Sequence, residues 1–225
     1  MVLRLFLQTF LWLVVLAVLL FLPAGTIAWP AAWFSLIEMG VLGLAVGLWL
    51  TRHDPALLAE RLGSLMQRDQ KPWDRVFMAV FLFLWCAWIV CMALDAERLG
   101  WSQIPVWIQG IGAVCLFLSV YIAYLTFREN SFAAPVVKIQ KRRGQRTVST
   151  GPYRHVRHPL YGGALFFFIG LPLLLGSWYG LLLVPFMIAV LALRAVMEEH
   201  VLIAELDGYA DYMLHVRYRF IPLIW

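Results

Sequence analysis

Residues 160–193 read LYGGALFFFIGLPLLLGSWYGLLLVPFMIAVLAL, a run of 34 positions without a charged side chain. A helix that crosses a bilayer needs about 20 apolar residues, so this run is too long for one crossing. Its centre, Gly176-Ser177-Trp178-Tyr179-Gly180, combines turn-forming residues with aromatic residues that favour the membrane interface. We therefore expect two membrane helices joined by a tight turn.

The whole chain has the composition of a membrane protein. Of its 225 residues, 63% are hydrophobic and 14% are charged, whereas soluble domains have about 45–50% and about 25%. This composition predicts an all-α, polytopic membrane bundle of five to six transmembrane segments, of which the last two form the hairpin. The spans expected before the hairpin are residues 3–27, 31–50, 76–94 and 104–126.

Residues 51–75, between the second and third spans, mix charged and apolar side chains. Apolar residues recur at helical spacing from Pro55 to Met66, which predicts a short helix that lies on the membrane. The positions are Leu57, Leu58, Leu62 and Leu65. Within the second span, Glu38 is costly in hydrocarbon and is expected to face the bundle or a wet cavity.

Cationic side chains are concentrated in two loops. Thirteen of the 18 lysines and arginines lie there, five from Arg52 to Arg75 and eight from Arg128 to Arg157. With six crossings, both loops and both termini lie on one side, which the positive-inside rule assigns to the cytoplasm. No stacking or base-reading group accompanies these cations, so nucleic acid is not an expected partner. No CxxC or paired-histidine spacing predicts a metal site.

The second basic loop enters the hairpin through the segment GPYRHVRHPLYGG, residues 151–163. Pro159 suits the first turn of a helix, and the glycines behind it allow another group close to the backbone. The far end of the hairpin carries Arg194, Glu198, Glu199 and His200. Because both ends lie on the same side, we expect them to form a polar pocket at the cytoplasmic interface. The alternative is a local ion pair between Arg194 and Glu198, one turn apart, with snorkelling ends and no ligand.

A further stripe of apolar and aromatic residues continues from Glu198 to Val216 and includes Tyr209 and Tyr212. Its three- and four-residue spacing predicts one amphipathic helix, weakened at Gly208. Such a helix would either cover the pocket or lie on the membrane.

These motifs, in this order, resemble those of one enzyme family. The motifs are Gly-Pro-Tyr-Arg-x-Val-Arg-His-Pro-x-Tyr-x-Gly at 151–163, Arg-x-x-x-Glu-Glu at 194–199, Gly-Tyr-x-x-Tyr at 208–212 and Arg-x-x-Pro at 219–222. From about Asn130 to Pro222 the chain resembles the isoprenylcysteine carboxyl methyltransferase family and its phospholipid methyltransferase relatives. The resemblance implies an all-helical membrane enzyme that uses S-adenosyl-L-methionine to methylate a lipid-borne or prenyl-type acceptor, without a metal.

The resemblance also implies site residues on both sides of the hairpin. The positions that match the cofactor motif are Tyr153, Arg157, His158, Pro159, Tyr161 and Gly162, with Glu198 and Glu199 from the acidic pair and Gln140 and Val148 as looser matches. The expected catalytic residues are Glu199 of the acidic pair and Arg194, Arg217 and Arg219, and the three arginines occupy positions where the family places cations near the acceptor. Residues 1–127 would then be N-terminal transmembrane helices, and residues 128–225 the cofactor-binding region.

The identity of the acceptor remains open at this stage. The family name favours carboxyl methylation of an isoprenylcysteine-like lipid, where Arg194 or Arg217 would orient an ionised carboxylate. A phospholipid amine or a small thiol would have to lose a proton, with Glu199 or His158 as the base. Another class of enzyme, the NADPH-dependent membrane sterol reductases, shares the closing Arg-x-Ile-Pro pattern. A scaffold or transporter subunit is the non-enzymatic alternative.

Overall fold

The computed structural model describes residues 1–64, 66–67 and 69–225, and every regular element in them is helical. The helices are α1 (Val2–Ala24), α2 (Pro30–His53), α3 (Pro55–Arg61), α4 (Pro72–Ala93), α5 (Val106–Glu129), α6 (Pro159–Leu175), α7 (Trp178–Leu182), α8 (Val184–Glu205) and α9 (Tyr209–His215). A π-helical turn, Leu94–Arg98, extends α4. The predicted all-α class is confirmed.

Five stretches are long and apolar enough to cross a membrane. They are α1, α2, α4 with its π-helical turn, α5, and the continuous stretch of α7 and α8. The apolar helix α6 has 17 residues and so extends about 25 Å; it runs from the basic end of the bundle to the opposite end. The chain is an integral, multi-pass membrane protein, and α6 forms the expected helical hairpin with the stretch of α7 and α8.

The hairpin turn is held at the end of the bundle opposite the basic loops. Gly176 ends α6 in the left-handed region, with φ of 88°, where a side chain would be strained. The Ser177 hydroxyl accepts a hydrogen bond from Gly180 N and donates one to Asp95 Oδ2 at 2.6 Å. Ser102 donates to the same oxygen at 2.7 Å. The end of α4 therefore fixes the turn between α6 and α7.

Helices α5 and α6 approach each other at positions without side chains. A Cβ on Gly112 would lie 2.4 Å from the Leu174 nitrogen, and a Cβ on Gly170 would lie 2.7 Å from the Gly112 oxygen. Such contacts are typical of membrane helices, in which small residues allow backbones to pack closely. This packing places the start of α6, where the site lies, against the end of α5.

The surface helix α3 is shorter than predicted. It begins after Asp54, whose side chain accepts from Leu57 N at 2.9 Å, and ends at Arg61 rather than Met66. Leu65 lies outside the described residues. The Asp54 carboxylate also accepts from the Ser131 hydroxyl. This bond brings the two basic loops together at one end of the bundle, where Arg4 near the N-terminus also bonds to Leu62 O.

Two other expectations are settled by the fold. The stripe from Glu198 to Val216 is two helices rather than one, because Leu206 is extended and Gly208 has φ of 75°. The Glu38 side chain is half-buried, and its Oε2 is buried without a hydrogen-bond partner in the described residues. One carboxylate oxygen of Glu38 therefore faces the bundle, in agreement with the prediction. A charged side chain in contact with lipid hydrocarbon would cost free energy.

Candidate active site

The two ends of the hairpin meet around one carboxylate, as the sequence predicted. Glu199 is 2% exposed. Its Oε1 accepts from Arg157 Nε at 2.7 Å and lies 3.1 Å from His158 Nε2. Its Oε2 accepts from Arg219 Nε at 2.9 Å. Three basic side chains from two segments therefore converge on a single buried acid.

This cluster, which we call the Glu199 clasp, also binds the C-terminal segment to the start of α6. Arg157 Nη1 donates to the carbonyls of Val216 and Arg217 at 3.1 Å each. The backbone nitrogens of Arg157 and His158 donate to the next two carbonyls of the same segment, at 2.8 and 2.9 Å. A Cβ on Gly162 would lie 2.8 Å from the Phe220 oxygen. The missing side chain of Gly162 thus makes room for the C-terminal segment.

Arg194 is paired with a residue that the sequence did not single out. Its Nε donates to Asp74 Oδ1 at 2.9 Å, and its Nη2 donates to Pro135 O at 2.9 Å. The other oxygen of Asp74 accepts from Val137 N and Gln70 Nε2. The alternative of a local ion pair between Arg194 and Glu198 is wrong, because Arg194 pairs with Asp74 of α4 instead. Asp74 carries only a weak sequence signal, as an acid in the first turn of a helix.

Glu198 is left with a neutral partner. Its Oε2 accepts from the Tyr161 hydroxyl at 2.6 Å. The Tyr161 ring stacks on His158 with centroids 5.2 Å apart, and the Arg194 guanidinium lies 5.9 Å from its centre. Tyr161 therefore connects the carboxylate of Glu198, the Glu199 clasp and Arg194.

These residues border a cavity of about 420 Å³ between the second basic loop and the membrane helices. One part, which we call the chamber, has polar walls from the end of α3, from residues 130–161, from the end of α8 and from the start of α9: they include Arg61, Asn130, Thr147, Tyr153, Glu198 and Tyr209. The other part, which we call the apolar arm, lies between α4, α6 and α8, and its walls include Phe81, Trp85, Ala164, Phe167, Phe168 and Leu191. Tyr161 and Arg194 line the same cavity at the level where the two parts meet.

Comparison with known proteins finds a family that matches 100 of the 225 residues. Residues 107–206 match the phospholipid methyltransferase family. This phospholipid methyltransferase region includes α5, the second basic loop, α6, α7 and α8, and the match confirms the resemblance found in the motifs.

Two other comparisons give no further information about the fold or the function. A solved structure of a eukaryotic intramembrane Ras methyltransferase, isoprenylcysteine carboxyl methyltransferase, is 19% identical to this chain, with a TM-score of 0.45. The alignment covers 97% of this chain and 85% of that one. At so low a similarity, neither fold nor function is inferred from it. A comparison with curated protein sequences gives no match.

Most, but not all, of the site residues expected from the sequence line the cavity. Those that do are Val148, Tyr153, Arg157, His158, Pro159, Tyr161, Arg194 and Glu198. Those that do not are Gln140, Gly162, Glu199, Arg217 and Arg219. Gln140 donates to Phe132 O at 2.8 Å, and the Arg217 side chain is exposed. The sequence reasoning missed Arg61, Asn130 and Lys138, which lie outside the hairpin motifs.

Tyrosines close the chamber on the side of α9. The Tyr153 hydroxyl accepts from Asn130 Nδ2 at 2.7 Å, and the Tyr212 hydroxyl donates to Tyr153 O at 2.7 Å. Burial raises the pKa of Tyr153, Tyr209 and Tyr212 above the usual range, so these groups stay neutral. The Tyr209 hydroxyl is buried and has no partner among the described residues. An unpaired hydroxyl on a cavity wall is available to a ligand.

Proposed function

We propose that this protein is an S-adenosylmethionine-dependent methyltransferase that acts on a lipid-borne acceptor. The observation that carries the proposal is the two-part cavity, in which a polar chamber at the basic end meets an apolar arm inside the bundle. Transfer between a water-soluble donor and a membrane lipid needs two such sites that share one junction. Tyr161 and Arg194 lie at this junction, and Glu198 lies on the chamber side of it.

The cavity suits a small-molecule ligand in size, and its chamber suits S-adenosylmethionine in charge. Chamber and apolar arm together measure about 420 Å³, within the roughly 300–1,000 Å³ typical of small-molecule sites. The Glu198 carboxylate would accept hydrogen bonds from the donor's ammonium group, and the faces of Tyr153 and Tyr161 favour a cation. When bound, S-adenosylmethionine supplies a methyl group on a positively charged sulfur, which a nucleophile displaces in line.

The protein's own residues orient the reactants and exclude water. The Tyr161 hydroxyl fixes the Glu198 carboxylate through its 2.6 Å bond. The tyrosines of α9 cover the chamber, which keeps the charged groups in a dry environment where their interactions are stronger. Among the expected catalytic residues, Glu199 and Arg219 form an ion pair with each other in the Glu199 clasp. We therefore assign them the role of positioning the neighbouring site residues. Arg217 contributes through its carbonyl, which accepts from Arg157.

The acceptor would place its hydrocarbon chain in the apolar arm. Phe168 lies nine residues beyond Pro159 on α6, so this wall extends about 13 Å into the bundle.

At the junction, Arg194 Nη1 has no hydrogen-bond partner in the described residues. A guanidinium with one open N–H group would orient a carboxylate that is already ionised. This arrangement supports an isoprenylcysteine-like carboxylate as the acceptor.

A phospholipid amine is the second candidate acceptor, because residues 107–206 match the phospholipid methyltransferase family. An amine must lose a proton before it can attack. Glu199 and His158 are occupied with each other at 3.1 Å, so the base would be Glu198. The same assignment holds for a thiol acceptor.

We also propose that the basic end of the bundle, with both termini and the chamber, faces the cytoplasm. The cations of both basic loops lie at this end, which supports that orientation. Reporter fusions at the two termini, read in intact cells, should both show cytoplasmic signals. A periplasmic or lumenal signal at either terminus would reverse the assignment.

Binding tests the donor first. Purified protein in detergent is heated with S-adenosylmethionine, S-adenosylhomocysteine or NADPH, and unfolding is followed. A ligand at 100 times its Kd stabilises the folded state by about 2.7 kcal/mol, so the first two ligands should raise the Tm and NADPH should not. Protection by NADPH alone would favour a reductase and exclude our proposal.

Labelled-methyl transfer then tests the acceptor. The protein is incubated with labelled S-adenosylmethionine and a panel of prenylcysteine analogues, phospholipids with amine headgroups and apolar thiols. We expect label in the prenylcysteine carboxylates, with Arg194→Met losing it. Label in the phospholipid amines, lost in Glu198→Gln, would select the second candidate.

A further inference from the structure

The cations that line the chamber differ in whether a carboxylate already neutralises them. Arg157 is paired with Glu199, Arg194 with Asp74, and Lys138 with Glu60 at 2.6 Å. In the described part of the chain, no carboxylate lies within ion-pair distance of Arg61. Arg146 also lacks one, but its side chain is exposed to solvent. Arg61 is therefore the cation on the cavity wall that is both sheltered and uncompensated.

The surroundings of Arg61 leave part of its guanidinium open. Its Nη1 donates to Ala133 O at 2.9 Å, and its Cζ lies 4.3 Å from the centre of the Phe127 ring. No other nitrogen of Arg61 has a hydrogen-bond partner in the described residues. Burial lowers the pKa of Arg61 to about 10, so the group is charged at neutral pH. A sheltered guanidinium with unused donors is a ready site for an anionic group.

The opposite charge in the chamber is also available. Among the described residues, the Glu198 side chain is hydrogen-bonded only to a neutral hydroxyl, that of Tyr161. Arg61, Tyr153 and Glu198 line the same cavity. Burial raises the pKa of the Tyr153 phenol, and the charges of Glu198 and Arg61 act on it as well, the first raising the pKa and the second lowering it. One open cation and one open carboxylate beside a buried ring complement the two charges of an α-amino acid.

We propose that Arg61 binds the carboxylate of the methionine portion of S-adenosylmethionine, while Glu198 binds its ammonium group. This inference rests on the proposed function and deepens it. Arg157, which the resemblance places in the cofactor motif, is already paired with Glu199 in the Glu199 clasp, so the carboxylate of the ligand falls to Arg61. Arg61 belongs to α3, outside residues 107–206, so the surface helix completes the site of the phospholipid methyltransferase region.

A pair of ligands that differ only in this carboxylate tests the assignment. Binding of S-adenosylmethionine and of its decarboxylated form is measured by calorimetric titration in detergent, without acceptor. The wild-type protein should bind S-adenosylmethionine more tightly, roughly ten- to hundredfold, as expected for a charge-assisted hydrogen bond. Arg61→Gln should weaken S-adenosylmethionine by that factor and leave the decarboxylated form unchanged. Arg142→Gln is the matched control, because Arg142 is an exposed cation of the second basic loop that does not line the cavity, and it should bind both ligands as the wild type does.

Each outcome decides between distinct possibilities. Equal weakening of both ligands in Arg61→Gln would mean that Arg61 only supports the fold, and the proposal fails. It fails equally if Arg146→Gln, and not Arg61→Gln, loses the preference. A wild-type protein that binds neither ligand overturns the proposed function itself. If Arg61→Gln does not fold, Arg61→Lys serves instead: it should weaken S-adenosylmethionine severalfold and spare the decarboxylated form, and equal weakening there refutes the assignment.

Discussion

Replacing Asp74 by asparagine keeps the size of a fully buried side chain and removes its charge. Both oxygens of Asp74 are in use: Oδ1 accepts from Arg194 at 2.9 Å, and Oδ2 accepts from Val137 N and Gln70 Nε2 at 2.8 Å each. Asparagine offers one oxygen, so its amide group must face a donor on one side or the other. At least one of the buried bonds is lost in either orientation.

The larger effect comes from the charge that remains. Arg194 is 8% exposed, and without Asp74 it has no ion-pair partner among the described residues. Removing one member of a buried ion pair costs about 3–5 kcal/mol. We expect Asp74→Asn to lower the free energy of unfolding by this amount. Adding Arg194→Met should restore on the order of 2 kcal/mol, because the uncompensated charge is then gone.

Unfolding in mixed micelles measures these changes. The protein is titrated with a denaturing detergent, and the fluorescence of its 11 tryptophans is followed. Asp69→Asn is the control, since Asp69 is exposed and its change should stay within about 0.5 kcal/mol. A loss below about 1 kcal/mol in Asp74→Asn, or strict additivity in the double variant, would refute the role of the buried pair.

Gly112→Ala adds a methyl group 2.4 Å from a backbone nitrogen of α6 and should lower the free energy of unfolding by about 1–3 kcal/mol. Gly110→Ala, whose Cβ would meet nothing within 4 Å, should not lower it, and equal losses in the same titration would argue against close helix packing. Glu199→Gln leaves buried Arg157 without its carboxylate, which should cost about 3–5 kcal/mol and speed hydrogen exchange in the C-terminal segment; unchanged exchange there would contradict the clasp. Burial raises the pKa of Tyr153, so the folded chain keeps a proton that the unfolded chain releases above about pH 10. Stability should therefore fall as the pH rises above that value, and Tyr153→Phe should reduce the slope of unfolding free energy against pH.

The cofactor motif shows how far a resemblance predicts a site. Residues 151–163 and 194–199 were expected to meet, and Arg157, His158 and Glu199 are in contact. These side chains bind one another, so they are not free to bind a ligand, although the resemblance predicts them to be ligand-binding residues. Because an ion pair forms with the nearest suitable group in three dimensions, a motif indicates which residues converge and leaves open which of them stay free. Arg61 and Glu198 have no ion-pair partner among the described residues, and only the ion pairs found in the structure for the neighbouring charged residues reveal this.

The sequence by itself determined the membrane class, the hairpin with its turn at Gly176, and the side shared by the two basic loops. These features follow from hydropathy, turn propensity and charge counts, which are properties of neighbouring residues. Only the tertiary structure decided that Arg194 pairs with Asp74 rather than with Glu198, and that Arg61 of α3 reaches the chamber. The physical reason is that local spacing specifies which side chains share a helix face, whereas the packing of distant helices determines which opposite charge lies within bonding distance.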